Sequence, residues 1–189
     1  MRYDPPLQGW DGYASLGADA LQDVILADPR FPAAVNLGVV RDKSRCGSDD
    51  PKSRHCKTGY GSAAGDVGFP RSHPEGTILA NLLVANATEL GIQGVNWDGR
   101  RWGFGEDRWR PITSGDLHDT HVHWELNDSA AQHLTQAQAR AALEEDDLPY
   151  TPQQLTTFAT AGALTALTTE AGHQEIREAL NEALLNPDS

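Results

Sequence analysis

The 189-residue chain contains no apolar run approaching the roughly 20 residues that a membrane-spanning helix needs, and this excludes such a helix. It also lacks a surplus of positive charge. Fifteen Lys and Arg against 27 Asp and Glu give −12, which argues against a nucleic-acid partner and against an anionic membrane surface. Two cysteines are too few for a structural zinc site of their own. No glycine-rich segment opens a helix as a phosphate loop requires; the stretches around Asp98-Gly99 and Gly103-Phe104-Gly105 read as turns. Internal repeats and low-complexity tracts are missing. The N-terminus, Met1-Arg2-Tyr3-Asp4, lacks the basic and then apolar segment of a secretory leader. The expectation is synthesis in the cytoplasm without a signal peptide, with any outside role depending on release or a dedicated delivery route.

What is present describes a soluble globular protein, with 39% hydrophobic and 22% charged residues. The charge is uneven. Residues 1–126 hold 17 acidic and 13 basic residues, a balance of −4. Residues 127–189 hold 10 acidic and two basic residues, a balance of −8, and no tryptophan follows Trp124. The shift predicts a first domain over 1–126 and an acidic helical extension over 127–189.

Ala18 to Ala27 reads as a helix stopped by Asp28-Pro29, and Asn36 to Arg41 as a strand. A loop of about twenty residues follows, of the length that is often functional. Within it, Cys46 and Cys56 are close enough in sequence to pair in an oxidising compartment, or they stay reduced. Ala63 to Phe69 suits a strand. Ser72-His73-Pro74-Glu75 has the form of a capping box opening a helix that Gly91 ends. Ile92–Trp97 and Arg101–Phe104 suit two strands joined at Asp98-Gly99, and His121–Leu126 a last strand. Helical spacing then runs over 135–145, 151–168 and 173–185. Strands with one intervening helix, followed by helices, predict an α+β fold with C-terminal helices.

Three of the seven histidines fall in His118-Asp119-Thr120-His121-Val122-His123. In a strand, alternate side chains share a face, so His121 and His123 point the same way. That pair suits one metal ligand and one neighbouring acid/base group. Glu125 follows on the same side, where it either orients an imidazole or lies exposed at the strand end.

The order of Ser53-Arg54-His55, Gly61-Ser62-Ala63-Ala64-Gly65-Asp66, Trp97, Trp109-Arg110-Pro111 and His118-x-x-His121-Val122-His123 resembles the zinc D-Ala-D-Ala peptidase, lysostaphin and hedgehog-like metallopeptidases. The likeness covers about residues 30–126. It implies a small antiparallel sheet with flanking helices, and hydrolysis of amide bonds in peptidoglycan stem peptides. Carried over residue by residue, it implies that His55, Asp66 and His123 hold Zn2+ and that His121 is the catalytic imidazole. Arg41 stands where relatives often carry an arginine near substrate, or is a surface ion-pair residue. Two nitrogens and one carboxylate leave a fourth tetrahedral position open, which suits a catalytic zinc. Relatives usually have six residues between the first His and the Asp. Here there are ten, and Gly59 and Gly61 permit the extra segment to bulge outward.

The remaining candidates are more ordinary. His118 is a substrate contact or a solvated loop residue, and His73 is structural at its helix start. Trp97, Trp102, Trp109 and Trp124 fill the core or wall a cleft. The acidic C-terminal helices offer a surface for a protein partner. Other function classes consistent with this chain are a non-catalytic module binding cell wall or protein on the same fold, and a structural part of a phage or injection particle.

Overall fold

The structure, a computed structural model, describes residues 3–144 apart from 6, 8, 42, 44, 45, 47–52, 57 and 107. Helix α1 (Leu16–Ala27) begins where the Ser15 hydroxyl accepts from the Ala18 N–H at 3.3 Å, and ends at Asp28 before Pro29. Its Ala18, Leu21, Val24 and Ile25 are buried, and each large aliphatic side chain contributes roughly 1.5–3 kcal/mol. Strands β1 (Val35–Gly38) and β2 (Ala64–Gly68) follow, then helices α2 (Pro74–Ala85) and α3 (Ala87–Leu90). The hairpin β3 (Ile92–Trp97) and β4 (Arg100–Gly103) turns at Asp98-Gly99, whose φ values of 49° and 73° are those of a type I′ turn. Then come β5 (Arg110–Pro111), β6 (His121–Leu126), α4 (Asp128–His133) and α5 (Gln136–Glu144).

The strands form one open six-stranded antiparallel sheet in the order β1-β2-β6-β3-β4-β5. The molecule is therefore α+β, as expected. On one face Val67, Val95, Val122, Trp124 and Leu126 join side chains from α1, α2 and α3 in the core. Gly65 lies opposite Trp124, and a Cβ there would sit 2.2 Å from the indole. Only glycine lets that ring lie flat across β2. Trp97 is buried and its Nε1–H donates to the Thr77 hydroxyl at 2.9 Å. Trp102 and Trp109 are half-buried and pack against the core edge.

Several boundaries differ from expectation. The strand expected over Asn36–Arg41 ends at Gly38, where φ of 107° breaks the run. His73, not Ser72, caps α2: its ring accepts from the Glu75 N–H at 3.4 Å, while Ser72 sits in a turn and donates to Asp98. Asn86 divides the expected single helix in two before Gly91 closes it.

The expected domain boundary at 126 falls inside a compact unit that spans Met1–Asp146. Ala131, Leu134, Ala139, Ala142 and Leu143 belong to the same buried cluster as Leu21 and Ile25. Charge averaged over the whole acidic stretch hides this, because α4 and α5 bury mainly alanines on an otherwise polar surface. The helices expected over 151–168 and 173–185 lie outside the described residues.

Candidate metal centre

The register of β2 on β6 builds the site. Asp66 is paired with His123, Gly68 with His121 and Ala64 with Glu125. Directly opposed residues have Cβ atoms about 4.5–5.5 Å apart, so Asp66 and His123 meet across the strands. The small partners Gly68 and Ala64 leave room beside the long side chains. His121, His123 and Glu125 thus share the sheet face opposite to Val122, Trp124 and Leu126, as strand alternation requires.

His55 reaches this face from a tight turn at residues 54–56. Cys46 and Cys56 form a disulfide, with Cα atoms 5.4 Å apart, and fix the chain immediately after His55. The His55 carbonyl accepts from the Ser62 hydroxyl at 2.5 Å and from the Arg41 N–H at 3.3 Å. Arg54 is fully buried: its guanidinium donates to the carbonyls of Asp4 (3.0 Å) and Leu126 (2.5 Å) and pairs with Asp128 at 2.9 Å. The long stretch between His55 and Asp66 folds back as a closed loop. The Asp11 carboxylate accepts from the N–H groups of Thr58 (3.3 Å) and Gly61 (3.1 Å). Gly61 has φ of 98°, and a Cβ there would lie 2.7 Å from the Ser15 nitrogen, so the return path requires glycine. The extra residues therefore separate two ligands along the chain without separating them in space.

His55, Asp66 and His123 converge, their donor atoms all within 4.8 Å of one another. His55 Nε2 is 3.1 Å from His123 Nδ1 and 3.3 Å from Asp66 Oδ2, and His123 Nδ1 is 2.9 Å from Asp66 Oδ1. Ligands at ~2.0–2.1 Å from a tetrahedral ion are ~3.3 Å apart, so these separations suit one ion with little movement. The outer nitrogens are already engaged. His55 Nδ1 lies 2.7 Å from the Val39 carbonyl, which can only accept, so Nδ1 carries the proton and Nε2 a lone pair. His123 Nε2 faces Glu125 Oε1 at 3.4 Å and donates to it, which turns Nδ1 toward Asp66. A carbonyl or carboxylate behind each imidazole is the arrangement that orients metal-binding histidines.

The inner space is electron-rich: two imidazole nitrogens and a carboxylate face one another and need a cation or a proton between them. Without a metal the proton resides on His123. Burial opposes its charge, but hydrogen bonds to Asp66 and Glu125 push its pKa up to about 10. Burial likewise raises the Asp66 carboxyl, yet bonds to His123 and His55 outweigh this and hold it well below the usual carboxylate range. Glu125 is also held low, its burial overcome by the His123 hydrogen bond. It is not an exposed strand-end carboxylate. Its Oε2 accepts from the Tyr3 hydroxyl at 3.5 Å, and burial together with the Glu125 charge raises that phenol to about 12.

His121 lies next to this centre and outside its closest contacts, with Nε2 3.9 Å from Asp66 Oδ1 and 4.0 Å from Asp116 Oδ2. His118 packs its ring 4.7 Å from that of His121 and 5.5 Å from that of His123. Burial, then the charges of His123 and His121, push His118 down to about 4, so it is a neutral base at ordinary pH. Arg41 comes to the site through its backbone: its N–H bonds His55 and its carbonyl accepts from Trp10 Nε1 at 2.8 Å. His133 lies on α4 and is not part of either histidine group.

Arg54, Asp116, Tyr3 and the Val39 carbonyl were not singled out from sequence. For Arg54 the available signal was a basic residue directly before a candidate ligand; the others carry no local pattern. A scan against protein-family models, a search of curated proteins and a search of solved structures find no match to this chain.

Proposed function

We propose that this chain is a zinc-dependent hydrolase of amide bonds in peptidoglycan stem peptides, built on a D-Ala-D-Ala peptidase-like variant of the α+β fold. The observation that carries the reading is the convergence of His55 Nε2, Asp66 and His123 Nδ1 at 2.9–3.3 Å, with the second nitrogen of each imidazole held by an acceptor. The donor set fits zinc: two neutral nitrogens and one carboxylate, with room for a fourth position. The substrate class rests on the motif resemblance and on nothing in the geometry.

When bound, zinc supplies Lewis-acid polarisation of a carbonyl and acidification of water. The chain's own groups do the rest. Glu125 and the Val39 carbonyl hold the imidazoles in the ligating tautomers. Asp66 neutralises part of the ion's charge. His121 Nε2, 3.9 Å from Asp66 Oδ1, would be the group to take up a proton or to stabilise charge developing on the scissile carbonyl. Arg41 is assigned to substrate binding by the motif resemblance alone, since its contact with His55 is through the backbone. The disulfide suits an oxidising destination.

The test couples zinc content to clearance of purified cell walls. His123→Ala should lose metal and activity together. His121→Ala should keep zinc while activity falls by about 10²–10⁴-fold. Zinc bound without any wall or stem-peptide cleavage would instead favour a binding module, and neither zinc nor cleavage a structural role.

A further inference from the structure

Beside the first centre lies a second group of donors, Asp116, His118 and His121, whose ligand atoms also fall within 4.8 Å of one another. We propose that these three residues form a second divalent-cation position, adjacent to the first and bounded on its inner side by Asp66.

Each donor is prepared for the role. His118 Nδ1 lies 2.9 Å from the Asp116 carbonyl oxygen and must donate to it, so Nε2 is left with a lone pair. The ring is held in place because the His118 backbone N–H donates to Asp116 Oδ1 at 2.9 Å, closing a turn in which His118 adopts φ of 53°. Among residues other than glycine, asparagine, aspartate and histidine are the ones enriched in that conformation. The same turn leaves Asp116 Oδ2 directed at His121 Nε2, 4.0 Å away. Asp66 Oδ1 stands 3.9 Å from the same nitrogen. The 4.0 Å between Asp116 Oδ2 and His121 Nε2 exceeds the ~3.3 Å edge of a tetrahedron with ~2.0–2.1 Å bonds, so the group must contract to close on an ion. Asp116 provides the movement, since its side chain is 65% exposed and Oδ2 can shift while Oδ1 keeps its bond to the His118 N–H.

The binding claim stands on this geometry alone, and its consequence rests on the function proposed above. If His121 is the proton acceptor of a mononuclear zinc enzyme, an ion on His121 Nε2 removes the lone pair that the reaction uses. The second position is therefore inhibitory: activity rises with the first equivalent of zinc and falls as the second fills.

The experiment is a calorimetric zinc titration of the metal-free full-length chain, with the disulfide intact. Two classes of binding are expected. His118→Asn keeps a residue that tolerates positive φ, and Asp116→Asn keeps the oxygen that closes the turn, so both variants preserve the loop and remove a ligand. Each should weaken the second class by at least about tenfold and leave the first class within a few-fold. His123→Ala should remove the first class. A single equivalent in the wild type would overturn the proposal. So would a second equivalent indifferent to His118→Asn and Asp116→Asn, which would mark an adventitious ion only. Stoichiometry is read without substrate, so a protein that binds two ions and cleaves no wall would refute the proposed activity and leave this site standing. Where cleavage is present, excess zinc should inhibit the wild type and spare His118→Asn; equal inhibition of both would overturn the inhibitory role.

Discussion

In the metal-free protein the His123 imidazole should remain charged up to about pH 10. Its ordinary value is near 6.5, so the rise amounts to roughly 5 kcal/mol in favour of the cation at ~1.36 kcal/mol per unit. The source is visible in the geometry: Nδ1 faces Asp66 at 2.9 Å and Nε2 faces Glu125 at 3.4 Å, both inside a buried site that would otherwise exclude charge. Two consequences follow with definite sign. A raised folded pKa contributes stability that is fully present below pH ~6.5 and is lost as pH rises through about 10. The depressed Asp66 works the other way, stabilising above its unfolded value near ~3.9 and losing that contribution as pH falls. From these two groups the metal-free protein is most stable between about pH 4 and 6.5. On the proposed reading zinc would take the place of the His123 proton, so the loaded protein should not show the alkaline loss, and apparent zinc affinity should climb about tenfold per pH unit across neutrality. The assays are imidazole chemical shifts of histidine-labelled, metal-free protein against pH, and denaturant melts at pH 6, 8 and 10 with and without zinc. Glu125→Gln should lower the His123 pKa and loosen the ring. A His123 that titrates near 6.5 in the folded metal-free protein would refute the reasoning, because it would mean that Asp66 and Glu125 do not enclose it.

Two further outcomes test the supports of the site. Truncation after Leu126 should abolish a cooperative melt, since it removes Leu134, Ala139 and Leu143 from the core, whereas truncation after Asp146 should keep the melt and zinc binding; survival of the shorter piece would show that α4 and α5 are dispensable. Reduction of Cys46–Cys56 should cost about 3 kcal/mol by the loop-entropy estimate and speed zinc loss to a chelator, because it frees the turn that presents His55; an unchanged dissociation rate would show that Arg54 and Ser62 hold the turn alone.

Elements with a strong local signal were legible from sequence, and elements defined by distant partners were not. β3 and β6 coincide with the expected Ile92–Trp97 and His121–Leu126 because β3 is bounded by Gly91 and Asp98, and β6 alternates His121, His123 and Glu125 with Val122, Trp124 and Leu126. The Asp98-Gly99 turn announced itself by composition. In contrast, α4 is six residues long and begins at Asp128 after its cap Asn127, with no apolar residue larger than alanine inside it. Its place in the fold comes from α1, where Gly17 brings the two backbones close: a Cβ on Gly17 would meet the Ala130 carbonyl at 2.0 Å. No helical periodicity within 127–133 reports that contact. The environment of Glu125 was illegible for the same reason. Its partner Tyr3 lies 122 residues away, and β6 alone does not say whether its end is covered.

The candidate site divides in the same way, and the division has a physical cause. Asp66 and His123 are fixed by a register that the core also demands: the pairing that opposes them sets Val67 against Val122 and Gly65 against Trp124 on the other face. A slip of one residue would turn those apolar side chains to the site face and the candidate ligands into the core, so two of the three candidate ligands are specified as strongly as the hydrophobic packing itself. His55 has no such guarantee. It sits on a turn, and its position depends on a disulfide, a buried guanidinium and two hydrogen bonds to its own carbonyl. The added length between His55 and Asp66 is tolerated because Asp11 and Gly61 close it into a loop that begins and ends at fixed points. Spacing along the chain is thus a weak guide here. What the ligands require is that the ends of the loop be anchored, and closure entropy grows only slowly with the residues between them.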